Sequence, residues 1–196
     1  NAFWADVFQY FDLNGLVLIH AVIFCASCSL QINEHFLELV SDTDYESIML
    51  DSFNCIENIN HLLNIHTTPS IPSLSALTLI YYVSSLNCYG LAARVSLLLR
   101  YSHIAGLHKR ISKTSGTTLK ELLYEYIVLL DSLVSYYYGL SPQVSEYQDC
   151  YVENVHSSPI AYSLIKFKCG KLWSQIIREL DGSNLLHKEC LARLHN

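Results

Sequence analysis

Residues 119–138 read LKELLYEYIVLLDSLVSYYY. Leu119, Leu122, Leu123, Tyr126, Ile127, Leu130, Leu133, Val134 and Tyr137 recur three and four residues apart. That spacing stacks side chains along one face of a helix. Glu121 and Glu125 fall on the flank of the stripe, and Asp131 lies between Leu130 and Leu133. Gly139 ends the pattern, because glycine adopts the left-handed backbone at no steric cost, and Pro142 blocks continuation. The same three-four spacing runs through most of the chain, and no strand-like alternation exceeds a few residues. The fold class expected is all-α, a multi-helix globular domain spanning residues 1–196.

Upstream, Leu91, Val95, Leu98, Ser102 and Ala105 share a stripe of a second helix, with Arg94 and Arg100 off it. Gly106 is placed to stop that helix in the left-handed conformation, and Leu107 to fold back onto its last turn. Residues 112–118 then read as a linker. Before it, Ser73 is expected to cap a helix that reaches Cys88 and is apolar nearly all round, through Leu74, Leu77, Leu79, Ile80, Tyr81, Val83 and Leu86. A helix without a polar face belongs in the centre of a domain. Residues 67–72 (TTPSIP) read as a second linker, since two prolines cannot propagate a helix. Residues 44–63 predict a helix capped by Asp42 or Thr43, with Ile48, Ser52, Cys55, Ile59 and Leu62 on its stripe. Residues 12–32 predict a buried core helix. Downstream, a helix is expected from Ser157, with Pro159 in its first turn and Ile160, Leu164, Phe167, Leu172, Ile176 and Leu180 inward. Its lysines, Lys166, Lys168 and Lys171, are expected outside. Residues 181–183 should break it before a short basic tail helix.

Composition narrows the function. Hydrophobic residues make up 51% of the chain and charged ones 15%. So much apolar surface implies thick packing, or a face that meets a partner or a small apolar effector. The net charge of −6 argues against DNA binding by this segment, because affinity for phosphates comes from cations. The one basic cluster, His108, Lys109, Arg110 and Lys113, reads as a solvated loop. Seven cysteines, an odd number at wide spacings, suit a reducing compartment rather than a disulfide scaffold. Cys25 and Cys28 form a single CxxC without the second ligand pair that structural zinc requires, so no metal site is expected. The apolar run 15–30 is shorter than the roughly 20 residues of a spanning helix, so no membrane partner is expected.

No catalytic constellation emerges. The chain lacks a Gly-rich phosphate loop, a Gly-x-Ser-x-Gly elbow and a His-Glu-x-x-His pair, and His61 and His66 stand five apart. Asp131, inside an apolar helix, is expected to be a buried acid held by an arginine or by backbone N–H groups of a neighbouring helix.

Residues 74–144 carry a series of landmarks in order. Ala76-Leu77 lies in an apolar helix after a proline-containing linker, followed by Gly90 in a break. Arg100 precedes Gly106-Leu107-His108-Lys109, and Asp131 precedes Gly139 and Pro142. This order and spacing resembles the middle homology region of fungal zinc-cluster transcription factors, and residues 16–30 are similar to that family's first apolar helix. Leu123 and Tyr124 stand where the family carries bulky tryptophans, and Ser132 where it carries an arginine. Gly139-Leu140-Ser141-Pro142 replaces Gly-Arg-Pro.

The resemblance implies a nuclear, non-enzymatic regulatory domain that restrains or relays activation, in some members by binding a small molecule. It implies protein partners or self-association. DNA would be read through an N-terminal six-cysteine zinc cluster outside this chain, so zinc belongs to that region. It also leaves open a structural assembly module of the same fold, as in a fungal kinetochore protein that resembles the family.

Overall fold

A computed structural model describes residues 12–32, 44–84, 90–109, 118–144 and 161–182. Among these residues the chain is all-α, with six helices and no strand. They are α1 (Leu13–Ile32), α2 (Tyr45–Leu62), α3 (Ile71–Val83), α4 (Leu91–Ile104), α5 (Leu119–Tyr138) and α6 (Ala161–Gly182). Where the sequence suggests one domain, the chain groups into two compact units. One comprises residues 1–89 and 100–109, the other 90–99 and 110–196, and α4 contributes to both.

In the first unit α1 packs against α2 and α3. Val17, Ala21, Phe24 and Cys28 of α1 are buried with Ile56 and Ile59 of α2 and with Leu74, Leu77 and Ile80 of α3. Ser70 Oγ donates to Asn14 Oδ1 at 2.7 Å, which ties the start of α3 to α1. The expectation of a fully buried α1 needs correction. Only one face is buried, while Val22 is 60% exposed and Leu13, Ile19 and Ile23 are exposed beside it. The apolar run is also longer than the sequence reading allowed: residues 13–30 are long and apolar enough to cross a membrane.

Three further expectations shift. Asp44, rather than Asp42 or Thr43, caps α2 by accepting the Ser47 N–H at 3.0 Å. Asp42 and Thr43 lie outside the described residues. The buried face of α2 is Ser52, Ile56, Ile59 and Asn60, whereas Leu62 is 71% exposed. Ser70, rather than Ser73, caps α3, and Pro72 sits inside its first turn, where a missing N–H costs nothing. The linker therefore ends at residue 70. Within α3, Leu79 and Val83 are exposed, so the helix is not covered all round. The helix ends at Val83 with Ser84 as its C-cap, short of the expected Cys88; residues 85–89 and residues 112–117 of the second linker lie outside the described residues.

In the second unit α5 packs against α6. The bounds of α5 are those the periodicity predicts, and Leu123, Ile127, Leu130 and Val134 are buried as expected. Leu119 and Tyr137, at the two ends of the stripe, are exposed. Glu125, expected on the flank, is buried. The α4 residues Leu91, Val95 and Leu98 join this core.

The reading of α6 is the least accurate. Leu164 and Phe167 are buried, but Leu172 and Ile176 are exposed, and the inward face continues through Gly170 and Ser174. A Cβ on Gly170 would lie 2.6 Å from Leu129 Cδ1, the tip of a side chain that would have to turn aside. Lys171 is not outside: only 15% of its side chain is exposed, and Nζ lies 3.8 Å from Glu125 Oε2. Asp181 and Gly182 are still helical. Residues 157–160 and 183–196 lie outside the described residues.

Candidate functional site

The sequence landmarks fall at two places, one in each unit. The first is the end of α4. Gly106 has φ +72°, the left-handed conformation. Its N–H donates to the His103 carbonyl at 3.0 Å and the Leu107 N–H to the Ser102 carbonyl at 2.9 Å. These two bonds define the Schellman stop, which satisfies carbonyls that the helix end leaves without partners. Leu107 is buried, giving the apolar contact that accompanies the motif. Arg100 is exposed, and the His103 and His108 rings lie 4.8 Å apart between centroids. Burial, the neighbouring His108 and the Arg100 guanidinium together hold His103 below the usual histidine pKa.

Among the described residues, left-handed stops also end α2 and α5. At the end of α2 the stop is built on Asn64, with φ +51°, and buried Ile65, whose N–H donates to the Asn60 carbonyl at 3.1 Å. At the end of α5 it is built on Gly139, with φ +63°, and the Leu140 N–H donates to the Ser135 carbonyl at 2.9 Å. Asparagine tolerates this region better than other non-glycine residues.

The second place is Asp131. Its side chain is 3% exposed and reaches across to the chain that leaves α5. Oδ2 accepts the Gln143 N–H at 2.8 Å and the Val144 N–H at 3.4 Å, and Oδ1 accepts from Gln143 Nε2 at 3.4 Å. Gln143 Nε2 also donates to Ser96 Oγ of α4. The donors are thus backbone groups of the segment after its own helix, rather than those of a neighbouring helix. Gly139 turns that segment back, and Pro142 and Val144 are buried beneath it. Burial raises the Asp131 pKa, and the Gln143 and Val144 bonds and the Arg178 charge oppose the rise. The carboxylate acts as a clamp whose oxygens are taken up by N–H donors.

Arg100, Gly106, Leu107 and His108 thus sit around one helix end in the first unit, and Asp131, Gly139 and Pro142 around another in the second. Sequence reasoning missed the polar seam between α5 and α6. Ser174 Oγ donates to Ser132 Oγ at 2.7 Å, Tyr126 Oη and Ser163 Oγ lie 2.6 Å apart, and Glu125 faces Lys171. The cleft lined by Glu125, Leu129, Ser132, Phe167, Gly170 and Lys171 is a shallow groove without room even for one enclosed water molecule. Pockets for organic ligands begin at roughly 300 Å³, so this groove is not one of them. Among the described residues no three His, Cys, Asp or Glu side chains group so as to hold a metal ion. No family model, curated protein or solved structure matches the chain.

Proposed function

We propose that this chain is the regulatory middle region of a fungal zinc-cluster transcription factor, acting in the nucleus by restraining activation. In this reading the zinc cluster that contacts DNA lies outside the chain, and the chain itself carries no catalytic group. Its inputs are protein contacts or a small apolar effector. One observation carries the reading. Four landmarks behind the resemblance occupy positions with a physical reason for their residue type: Gly106 and Gly139 have positive φ, Leu107 is the buried contact of a helix stop, and Asp131 is a buried clamp. Landmarks with such reasons are less open to chance than a run of matching letters.

The test places the 196-residue chain between an unrelated DNA-binding region and a strong activation segment, upstream of a reporter. A folded chain should lower reporter output several-fold relative to a fusion with an inert spacer of equal length. Equal output from the two fusions, with helical structure verified by circular dichroism, overturns the proposal.

A further inference from the structure

The outer face of α6 carries a regular apolar pattern. Tyr162, Ile165, Leu172 and Ile176 are each more than half exposed, and Cys169 between them is exposed as well. With Glu179 they stand at positions 162, 165, 169, 172, 176 and 179, alternating three and four apart. That alternation is the seam of a coiled coil, in which apolar residues at two positions of each heptad meet a facing helix. The inward face of the same helix carries Leu164 and Phe167 in its first half and only Gly170 and Ser174 further on. In the second half the larger apolar side chains, Leu172 and Ile176, therefore point out, the reverse of what a solvent-facing helix shows.

We infer that this face pairs with the same face of a second copy, the two α6 helices running antiparallel about a two-fold axis. Charge selects both occupant and direction. Lys166 and Lys168 flank the N-terminal half of the stripe, and exposed Glu179 closes its C-terminal end. Parallel pairing would set lysine beside lysine, whereas antiparallel pairing sets each lysine end against a glutamate. The register that layers Tyr162 on Glu179 of the second copy, Ile165 on Ile176 and Cys169 on Leu172 is symmetric about its midpoint. It therefore satisfies the identity of patches that a two-fold contact requires. Lys166 Nζ lies 4.4 Å from the centroid of the Tyr162 ring, which places its charge beside Glu179 of the second copy in that register. Trp173, stacked on Tyr136 with centroids 6.0 Å apart, extends the face onto the exposed end of α5. The inference stands apart from the proposed function, since a regulator and a scaffold could both use such a pair.

Sedimentation equilibrium of the full 196-residue chain tests it. The expected result is a reversible dimer. Ile165→Glu and Ile176→Glu should each give a monomer with unchanged helical content, because both positions are exposed within one copy. Glu179→Lys should weaken the dimer about tenfold or more by setting like charges together, and adding Lys166→Glu should restore it. Three results would overturn the inference: a monomer at all concentrations, a dimer indifferent to Ile165→Glu, or a dimer weakened by Glu179→Lys that Lys166→Glu does not restore.

Discussion

The Asp131 carboxylate and the backbone N–H of Gln143 meet at 2.8 Å, so a side chain within α5 fixes the path of the chain that leaves it. Removing the carboxylate leaves the N–H groups of Gln143 and Val144 without their acceptor. Asp131→Ala should cost about 1–3 kcal/mol, the penalty for unsatisfied buried polar groups. Urea unfolding of the two proteins measures it. Hydrogen exchange at Val144, itself buried, should rise in the variant if the clamp is what holds the segment.

The pH dependence of the clamp has a definite sign. Burial raises the folded pKa of Asp131 above the usual carboxyl value of about 3.9, so the native state keeps its proton to higher pH than the unfolded chain. Its contribution is therefore fully present below about pH 4 and is lost as pH rises through the raised value. Asp131→Asn cannot titrate. The stability difference between wild type and Asp131→Asn should change across that acid range and be flat on either side of it, as unfolding curves at several pH values would show.

His103 works in the opposite sense. Its folded pKa lies below the usual value of about 6.5, so its neutral form favours folding and acidification removes that contribution. Its side chain is largely exposed, so the effect is small. His103→Gln should make the melting temperature less sensitive to a fall from pH 7 to pH 5.

Gly106 and Asn64 occupy equivalent helix stops at φ +72° and +51°. Gly106→Val should cost about 1–2 kcal/mol, because a β-branched side chain clashes with left-handed backbone. Gly106→Asn should cost clearly less, since asparagine already fills that role at position 64. Nothing lies within 4 Å of a Cβ built on Gly106, so backbone strain alone sets the difference. Thermal melts of the two variants provide the comparison.

In the α5–α6 seam, Glu125→Ala withdraws the carboxylate nearest Lys171 and should cost about 1–3 kcal/mol. Combining Glu125→Leu with Lys171→Met should be close to neutral, because exchanging a buried ion pair for apolar groups of similar size removes both charges together. A double-mutant cycle separates the two cases.

These residues also show what could be read from the chain. Gly106, Gly139 and Asp131 were legible because each is an exception to its local pattern: a glycine ending an apolar period, or an acid within one. The stop at Asn64 was harder to see, since asparagine signals many kinds of turn. The capping box at the start of α5 was present as Thr118 and Glu121 three apart. There the Thr118 N–H donates to Glu121 Oε2 at 2.8 Å and the Glu121 N–H to Thr118 Oγ1 at 3.3 Å. The face of α6 was misread for a physical reason. Periodicity assumes that the largest apolar residues point inward, but the buried face follows Leu164, Phe167, Gly170 and Ser174, which leaves Leu172 and Ile176 outside. Buried Glu125 faces Lys171, 46 residues away, a pairing that no local pattern encodes.

The regulatory reading is tested most directly by measuring reporter output across a graded stability series of the inserted chain: wild type, Gly106→Asn, Gly106→Val and Asp131→Ala. Each fusion is brought to equal protein level in the nucleus. If the folded chain restrains activation, wild type gives the lowest output, Gly106→Asn stays near it, and Gly106→Val and Asp131→Ala rise toward the inert-spacer control in proportion to their loss of Tm. Output at the spacer level for all four fusions, or output unrelated to Tm, contradicts the account.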